Sequence, residues 1–170
     1  MKKIILSLML LAPFFFSSCE EAKELTGAME FTIGDESYEF PVATFVKKDG
    51  RTTITTTNVE NTATISFKGI TTTKYALGVG SNLEEVILNI GNLDKAENVF
   101  IFFPTGGIND SYISLYGSLI ITEYTDKKIV GTFAGVGITK EDAAQVEGFE
   151  DIIKAKKKDF SGTFTAKAVN

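Results

Sequence analysis

The sequence of 170 residues contains no histidine and no tryptophan, and its one cysteine is Cys19. Those counts remove most reaction chemistry near neutral pH. Without imidazole there is no Ser-His-Asp triad, no histidine general base and no histidine-held metal. A single thiol forms neither an internal disulfide nor a thiolate cluster. What remains is carboxylate chemistry, which needs two acids whose pKa values a cleft drives apart. Glu36, Glu39, Glu84, Glu85 and Glu123 are the candidates; nothing in their sequence setting marks a catalytic pair, only Glu123 stands beside apolar neighbours, Ile121 and Tyr124, and solvated surface charge is the favoured reading. Gly78-Val79-Gly80-Ser81-Asn82-Leu83 lacks the last glycine of the dinucleotide fingerprint and its βαβ setting. Residues Asn92 to Asn98 gather oxygen ligands, but not in the order of a calcium loop, and Lys95 would oppose a cation. The sequence therefore predicts a non-enzyme with no catalytic residues, no cofactor and no metal.

The sharpest local pattern is aromatic. Between Ser111 and Tyr124 one strand parity holds Ile113, Leu115, Leu119 and Ile121, and the other holds Tyr112, Ser114, Tyr116, Ser118, Thr122 and Tyr124. On a regular strand Tyr112 and Tyr116 stand on the wetter face, ~13 Å apart at about 3.3 Å per residue. Tyr112, Tyr116 and Tyr124 are thus the candidate partner-binding residues, because flat rings stack on sugars and on protein surfaces. Cross-strand packing that shields the sheet is the commoner use of such tyrosines and the favoured reading.

The elements that would carry these residues begin after an export signal. Met1-Lys2-Lys3 precedes a run from Ile4 to Phe16 that is apolar except at Ser7 and Pro13. A basic start and an apolar stretch of that length form a secretory signal; a permanent helical span needs about 20 apolar residues. The run ends in Phe16-Ser17-Ser18-Cys19, which resembles the lipobox of bacterial lipoproteins. That resemblance implies cleavage before Cys19 and acyl chains, palmitate among them, on the cysteine. Residues 1–18 are then the signal peptide, 19–28 a lipidated cysteine with a polar tether, and 29–170 one domain. One acyl chain anchors only marginally, and the lipoprotein pattern implies three. Glu20-Glu21 resembles the acidic export signals of Bacteroidota surface lipoproteins, so the expected location is the cell envelope, at the outer membrane, periplasmic or surface-exposed.

The whole chain has 17 basic and 22 acidic side chains; without Lys2 and Lys3 the balance is 15 against 22, a formal −7. An acidic surface argues against nucleic acid and anionic lipid as partners. Threonine, β-branched and aromatic residues dominate the body, as a pleated, half-buried surface favours. Turn residues divide it into short strands: Met29 to Ile33 and Ser37 to Phe40 around Gly34-Asp35-Glu36, Val42 to Lys48 before Asp49-Gly50, then Thr52 to Asn58, Thr62 to Lys68, Lys74 to Gly78 and Glu85 to Ile90. Val99 to Phe103 is a continuous apolar run, as in a strand covered on both faces. Ser111 to Thr125 suits one bent strand or two, with a bulge at Gly117. Lys128 to Gly137 and Asp159 to Val169 complete the set. Between them, Thr139 as a cap, Glu141 and Asp142 in a first turn, and Val146, Phe149, Ile152 and Ile153 at helical spacing predict one short helix near residues 139–157. The fold class is all-β, mainly antiparallel, a β-sandwich or β-barrel with that single helix.

Two segments echo each other, Ile129-Val130-Gly131-Thr132-Phe133-Ala134 and Phe160-Ser161-Gly162-Thr163-Phe164-Thr165. With Gly117-Ser118-Leu119-Ile120-Ile121-Thr122 and Tyr75-Ala76-Leu77-Gly78, they resemble an uncharacterised family of Bacteroidota lipoproteins across roughly residues 30–168. The resemblance implies a β-rich, lipocalin-like or sandwich body and carries no catalytic residues. Read physically, each glycine shares a strand face with the phenylalanine two residues on, which lets a cross-strand ring lie over bare backbone. The echo is therefore expected to be structural.

These readings predict a membrane-anchored lipoprotein with a non-enzymatic β domain in a binding or envelope-structural role. The partner classes are the membrane through lipid on Cys19 and a glycan, a protein or a small hydrophobic ligand, with no nucleic acid. The alternative is a lipocalin-like carrier of a small hydrophobic ligand in the domain's interior, although the chain lacks the Gly-x-Trp of a true lipocalin.

Overall fold

The computed structural model describes residues 27–78, 96–105, 107, 110–146 and 149–169. Among these residues ten strands appear: β1 (Ala28–Ile33), β2 (Glu36–Phe40), β3 (Ala43–Lys48), β4 (Arg51–Thr57), β5 (Thr62–Lys68), β6 (Lys74–Gly78), β7 (Val99–Phe103), β8 (Tyr112–Tyr124), β9 (Lys128–Thr139) and β10 (Lys158–Ala168). The strand expected over Glu85 to Ile90 lies outside the described residues, as does Cys19.

The sandwich-or-barrel alternative resolves to a barrel. Seven strands close a ring in the order β3-β4-β5-β7-β8-β9-β10. Every pair in the ring is antiparallel except the closing one, where β10 meets β3 in parallel through Lys167↔Thr44 and Ala168↔Phe45. The β1–β2 hairpin and β6 are added to the wall rather than to the ring. β1 occupies the part of the β10 edge that β3 does not reach, and β6 does the same on β8 beyond β7.

Local sequence explains the elements. Gly34 at φ 58° makes the tight turn that puts Ile33 opposite Glu36. Asp49 and Gly50, both with positive φ, join β3 to β4 with Lys48 opposite Arg51. In β4 and β5 alternation places Thr52, Ile54, Thr56, Ala63, Ile65 and Phe67 inside and leaves the intervening threonines on the outer wall.

β7 corrects one expectation. Phe100 and Phe102 are buried, but Val99 and Ile101 are half-buried and Phe103 is exposed, so the strand is covered on one face only. Its other face is simply an apolar stretch of outer wall, which periodicity alone does not separate from a doubly covered strand.

The barrel interior is filled by side chains. Phe31, Phe100, Phe133 and Phe160 touch in a chain, with centroids 5.3 Å apart for Phe31–Phe100, 4.9 Å for Phe100–Phe133 and 5.0 Å for Phe100–Phe160. Phe102, Phe164, Leu119 and Ile121 surround them, all nearly inaccessible. Such edge-on and tilted contacts are the favoured aromatic arrangements.

The helix expected near 139–157 is two short ones, α1 (Lys140–Ala144) and α2 (Phe149–Lys154). Thr139 caps α1 as anticipated, its hydroxyl accepting from Asp142 N at 3.1 Å. α1 stops at Gln145, whose N–H bonds back to Asp142 O rather than continuing the helix. α2 buries Ile152 against Leu115 and Ile138 on the outside of the barrel, forming a small second core. Lys157 closes its C-terminal end, with Nζ 2.5 Å from Ile152 O and 3.1 Å from Ile153 O.

Candidate functional site

The three candidate tyrosines all lie on β8, and two irregularities decide where each points. Opposite β9, Ser114 pairs with Gly137 and Tyr116 with Val136, so Leu115 is an extra residue; Ile121 pairs with Gly131 and Glu123 with Val130, so Thr122 is another. The bulges are not at Gly117, where one was expected. Each reverses the inside–outside parity of the residues C-terminal to it.

Tyr112 precedes the first bulge and points into the barrel. It is 4 % exposed, which corrects its placement on the wetter face. Its hydroxyl accepts from Lys158 N at 2.8 Å and faces the carbonyls of Gly137 at 2.5 Å and Lys158 at 2.6 Å, tying β8, β9 and β10 together. Burial pushes its phenol well above the ordinary tyrosine range. Tyr116, after the bulge, lies on the outer wall and packs half-buried against Leu115, Ile138 and Ile152. Tyr124, after the second bulge, returns to the inner side at the far end. Its hydroxyl is 2.6 Å from Thr52 Oγ1, which donates its own proton to Gly69 O at 2.9 Å, so Tyr124 is the donor. The Lys47 ammonium stands 4.6 Å from the Tyr124 ring centroid and 3.0 Å from Asp126 Oδ1. The three rings therefore form no common surface, and only Tyr116 lies on the outer wall.

The carboxylates are placed as follows. Glu84 and Glu85 lie outside the described residues. Glu123 is paired with Lys128 at 2.8 Å. Glu36 accepts from Tyr38 Oη at 2.5 Å and lies 3.4 Å from Lys158 Nζ. The Tyr38 hydrogen bond, then the charge of Lys158, lowers the Glu36 pKa. The Tyr38 ring stacks 5.2 Å from Phe31 and 4.4 Å from Phe102, across the interior from β2 to β7. Burial first, then Glu36, pushes its phenol up to about 12. Of the loop read against calcium, Ala96 to Asn98 are described, and Asn98 is a splice: its side chain accepts from Lys68 N and donates to Ala76 O, each at 2.8 Å.

Sequence reasoning missed a groove of about 570 Å³ on the outer wall where β1, β2 and β10 run side by side. Glu30 and Glu39 face each other across the hairpin, Thr163 donates to Glu30 Oε1 at 3.3 Å, and Pro41, Thr165 and Lys128 complete the rim. The signal was present: a two-residue turn at Gly34-Asp35 fixes the register that opposes Glu30 to Glu39. The groove offers carboxylates, hydroxyls and an ammonium, while Met29 and Phe40 beside them turn their side chains into the interior core. Both acids are exposed. That set can hydrogen-bond a polyhydroxylated ligand, but it lacks the dry, apolar setting that turns a carboxyl into a general acid.

No family model matches the chain, and no curated protein matches it.

Proposed function

We propose that this is a lipid-anchored protein of the bacterial envelope, held through Cys19, whose β-barrel binds a partner on its outer wall and catalyses nothing. The anchor follows from Lys2-Lys3, the apolar run and Ser17-Ser18-Cys19. The absence of histidine and of a second thiol supports a binding role over a catalytic one. The observation that carries outer-wall binding is the filled interior. Phe31, Phe100, Phe133 and Phe160 occupy the barrel centre in mutual contact, while the groove beside Glu30, Glu39 and Thr163 is open to solvent. Its hydroxyls and carboxylates suit a glycan better than an apolar molecule.

A barrel is also compatible with a lipocalin-like carrier. A ligand in that position would have to displace rings that already pack at native distances, which makes the carrier the second reading.

Two measurements test the proposal. Cys19→Ala should leave unprocessed precursor without acyl chains; normal processing and lipidation would refute the anchor. Intact protein, extracted and analysed by mass spectrometry, should carry acyl chains on Cys19 and no second, non-covalent lipid. A stoichiometric co-purifying lipid would favour the carrier.

A further inference from the structure

The net charge of the chain conceals a segregation. β1 begins on the barrel wall beside Ala43, Thr165 and Ala166, where β3 also begins, and runs away from the end at which β3 finishes. That end gathers the β3–β4 turn, the segment after β5 and the β8–β9 turn. Gly69 N bonds to Gly50 O at 3.1 Å, Ile121 N to Thr73 O at 2.9 Å, Ala168 N to Lys127 O at 3.1 Å and Val169 N to Phe45 O at 3.2 Å, so these segments form one continuous rim.

That rim is basic. Lys47, Lys48, Arg51, Lys68, Lys74 and Lys127 lie on it, against Asp49, Glu97 and Asp126. Lys47 and Lys68 are paired with Asp126 and Glu97. Arg51, among the described residues, donates to the neutral oxygens of Ser66 and of the Glu97 backbone. Among the described residues Lys48, Lys74 and Lys127 have no ion-pair partner. Large apolar side chains are exposed between these cations: Val46 at 50 %, Ile70 at 60 % and Val169 at 59 %. At the opposite end, the turns, the helices and the start of β10 carry Asp35, Glu36, Glu60, Asp110, Glu141, Asp142, Glu150, Asp151 and Asp159 against Lys140, Lys154, Lys156, Lys157 and Lys158, an acidic excess. The 11 residues of β10 run about 36 Å at about 3.3 Å per residue, and a barrel tilt of about 40° leaves the two ends about 28 Å apart, roughly three times the screening length of about 8 Å at physiological salt. An anion meeting the rim therefore feels local positive charge, not the negative total.

We propose that this basic rim lies against the anionic headgroups of the bilayer that holds the Cys19 lipid, fixing the barrel upright with its helical end outward. The proposal rests on the reading of Cys19 as lipidated. Residues 19–26 can span at most about 29 Å when fully extended, so the anchor keeps the rim within reach of the headgroups. Exposed aliphatic groups interleaved with lysine are the composition that settles at a headgroup boundary. It also revises the inference from net charge, which argued against anionic lipid.

The test uses the mature lipidated chain, purified from membranes and placed in vesicles of phosphatidylcholine alone or mixed with phosphatidylglycerol. Accessible lysines are labelled with a water-soluble amine reagent and counted by mass spectrometry. Lys48, Lys74 and Lys127 should label roughly fivefold more slowly in the anionic vesicles, an effect that high salt abolishes. Lys154 and Lys156, at the other end, should label alike in both. Reversing the exposed charges in a Lys48→Glu, Lys74→Glu, Lys127→Glu variant should erase the difference while leaving the denaturation midpoint in place. Equal labelling of the rim in both vesicles, or slowing at both ends, would overturn the proposal. So would protection by a soluble anionic polysaccharide but not by phosphatidylglycerol, which would assign the rim to a glycan. Should the chain fail to enter neutral vesicles at all, the anchor is wrong. Sedimentation with anionic vesicles then decides the rim separately: binding with the same protected lysines sustains it, and no binding refutes it.

Discussion

The ring of Phe164 lies over the bare backbone of Gly131, where an added Cβ would stand 2.7 Å from Phe164 Cζ. The relation is reciprocal: a Cβ on Gly162 would stand 2.8 Å from Phe133 Cζ. In the antiparallel β9–β10 ladder Gly131 faces Phe164, Thr132 faces Thr163 and Phe133 faces Gly162. Gly-Thr-Phe is thus self-complementary when two copies run in opposite directions. A third pair, Gly135 with Phe160, extends the row. The echo in the sequence is the written form of a strand register, and the rings it places are those that fill the barrel.

Gly131→Val should destabilise the protein by about 1–3 kcal/mol, the usual consequence of overpacking a core. A Cβ there would also come within 2.5 Å of Ile120 O, which is backbone and cannot swing aside. Urea denaturation measures the effect; an unchanged midpoint would mean that the ladder relaxes freely at this position.

Tyr112 and Tyr116 should behave as opposites. Tyr112→Phe removes the hydroxyl that meets Lys158 N, Gly137 O and Lys158 O, leaving buried backbone groups unpaired at a cost of about 1–3 kcal/mol. Tyr116→Ala gives up only half-buried packing on Leu115 and Ile152 and should fall well short of that. A loss of partner binding in Tyr116→Ala without loss of stability would make that ring a contact residue. Equal destabilisation by the two substitutions would contradict the placement of Tyr112.

The same strand sets the limits of what sequence reveals. Strand periodicity, turn residues and the Gly-Phe echo were legible because each is a local rule of backbone geometry. The orientation of the tyrosines was not, because one extra residue at Leu115 and another at Thr122 reverse parity twice, and nothing in Ser-Leu-Tyr or Ile-Thr-Glu announces a bulge. Barrel closure was equally silent. It depends on two parallel pairings between β10 and β3, whose partners are more than a hundred positions apart in the chain. The groove is intermediate: the hairpin register opposes Glu30 to Glu39, but the approach of Thr163 comes from β10.

Tyr38 gives the protein a dependence on alkaline pH. Its folded-state pKa of about 12 lies above the ordinary 10.0, so the contribution is fully present below pH 10 and is lost as pH rises toward 12. The unfolded chain releases this proton first, which draws the equilibrium toward unfolding in that window. Comparing denaturation midpoints of the wild type and Tyr38→Phe across it isolates this group from the titration of the lysines. The difference between the two proteins should change with pH inside the window and stay flat below it. A constant difference throughout would show that Tyr38 titrates normally.

The filled interior predicts what happens when it is emptied. Phe100 is completely buried and touches Phe31, Phe133 and Phe160. Phe100→Ala should lose about 3–5 kcal/mol, because the closed ring of strands limits how far its neighbours can collapse into the space. That approaches the whole stability of many domains, so Phe100→Leu serves as the milder companion. In whichever variant remains folded, an apolar cavity at the centre should admit a small hydrophobic molecule such as benzene or xenon, as dry engineered cavities do. Wild-type protein should bind neither, since the rings there are already in mutual contact. Saturable binding of such molecules by the wild type, at the same central site, would mean that the rings part readily, and the carrier reading would then displace binding at the outer wall.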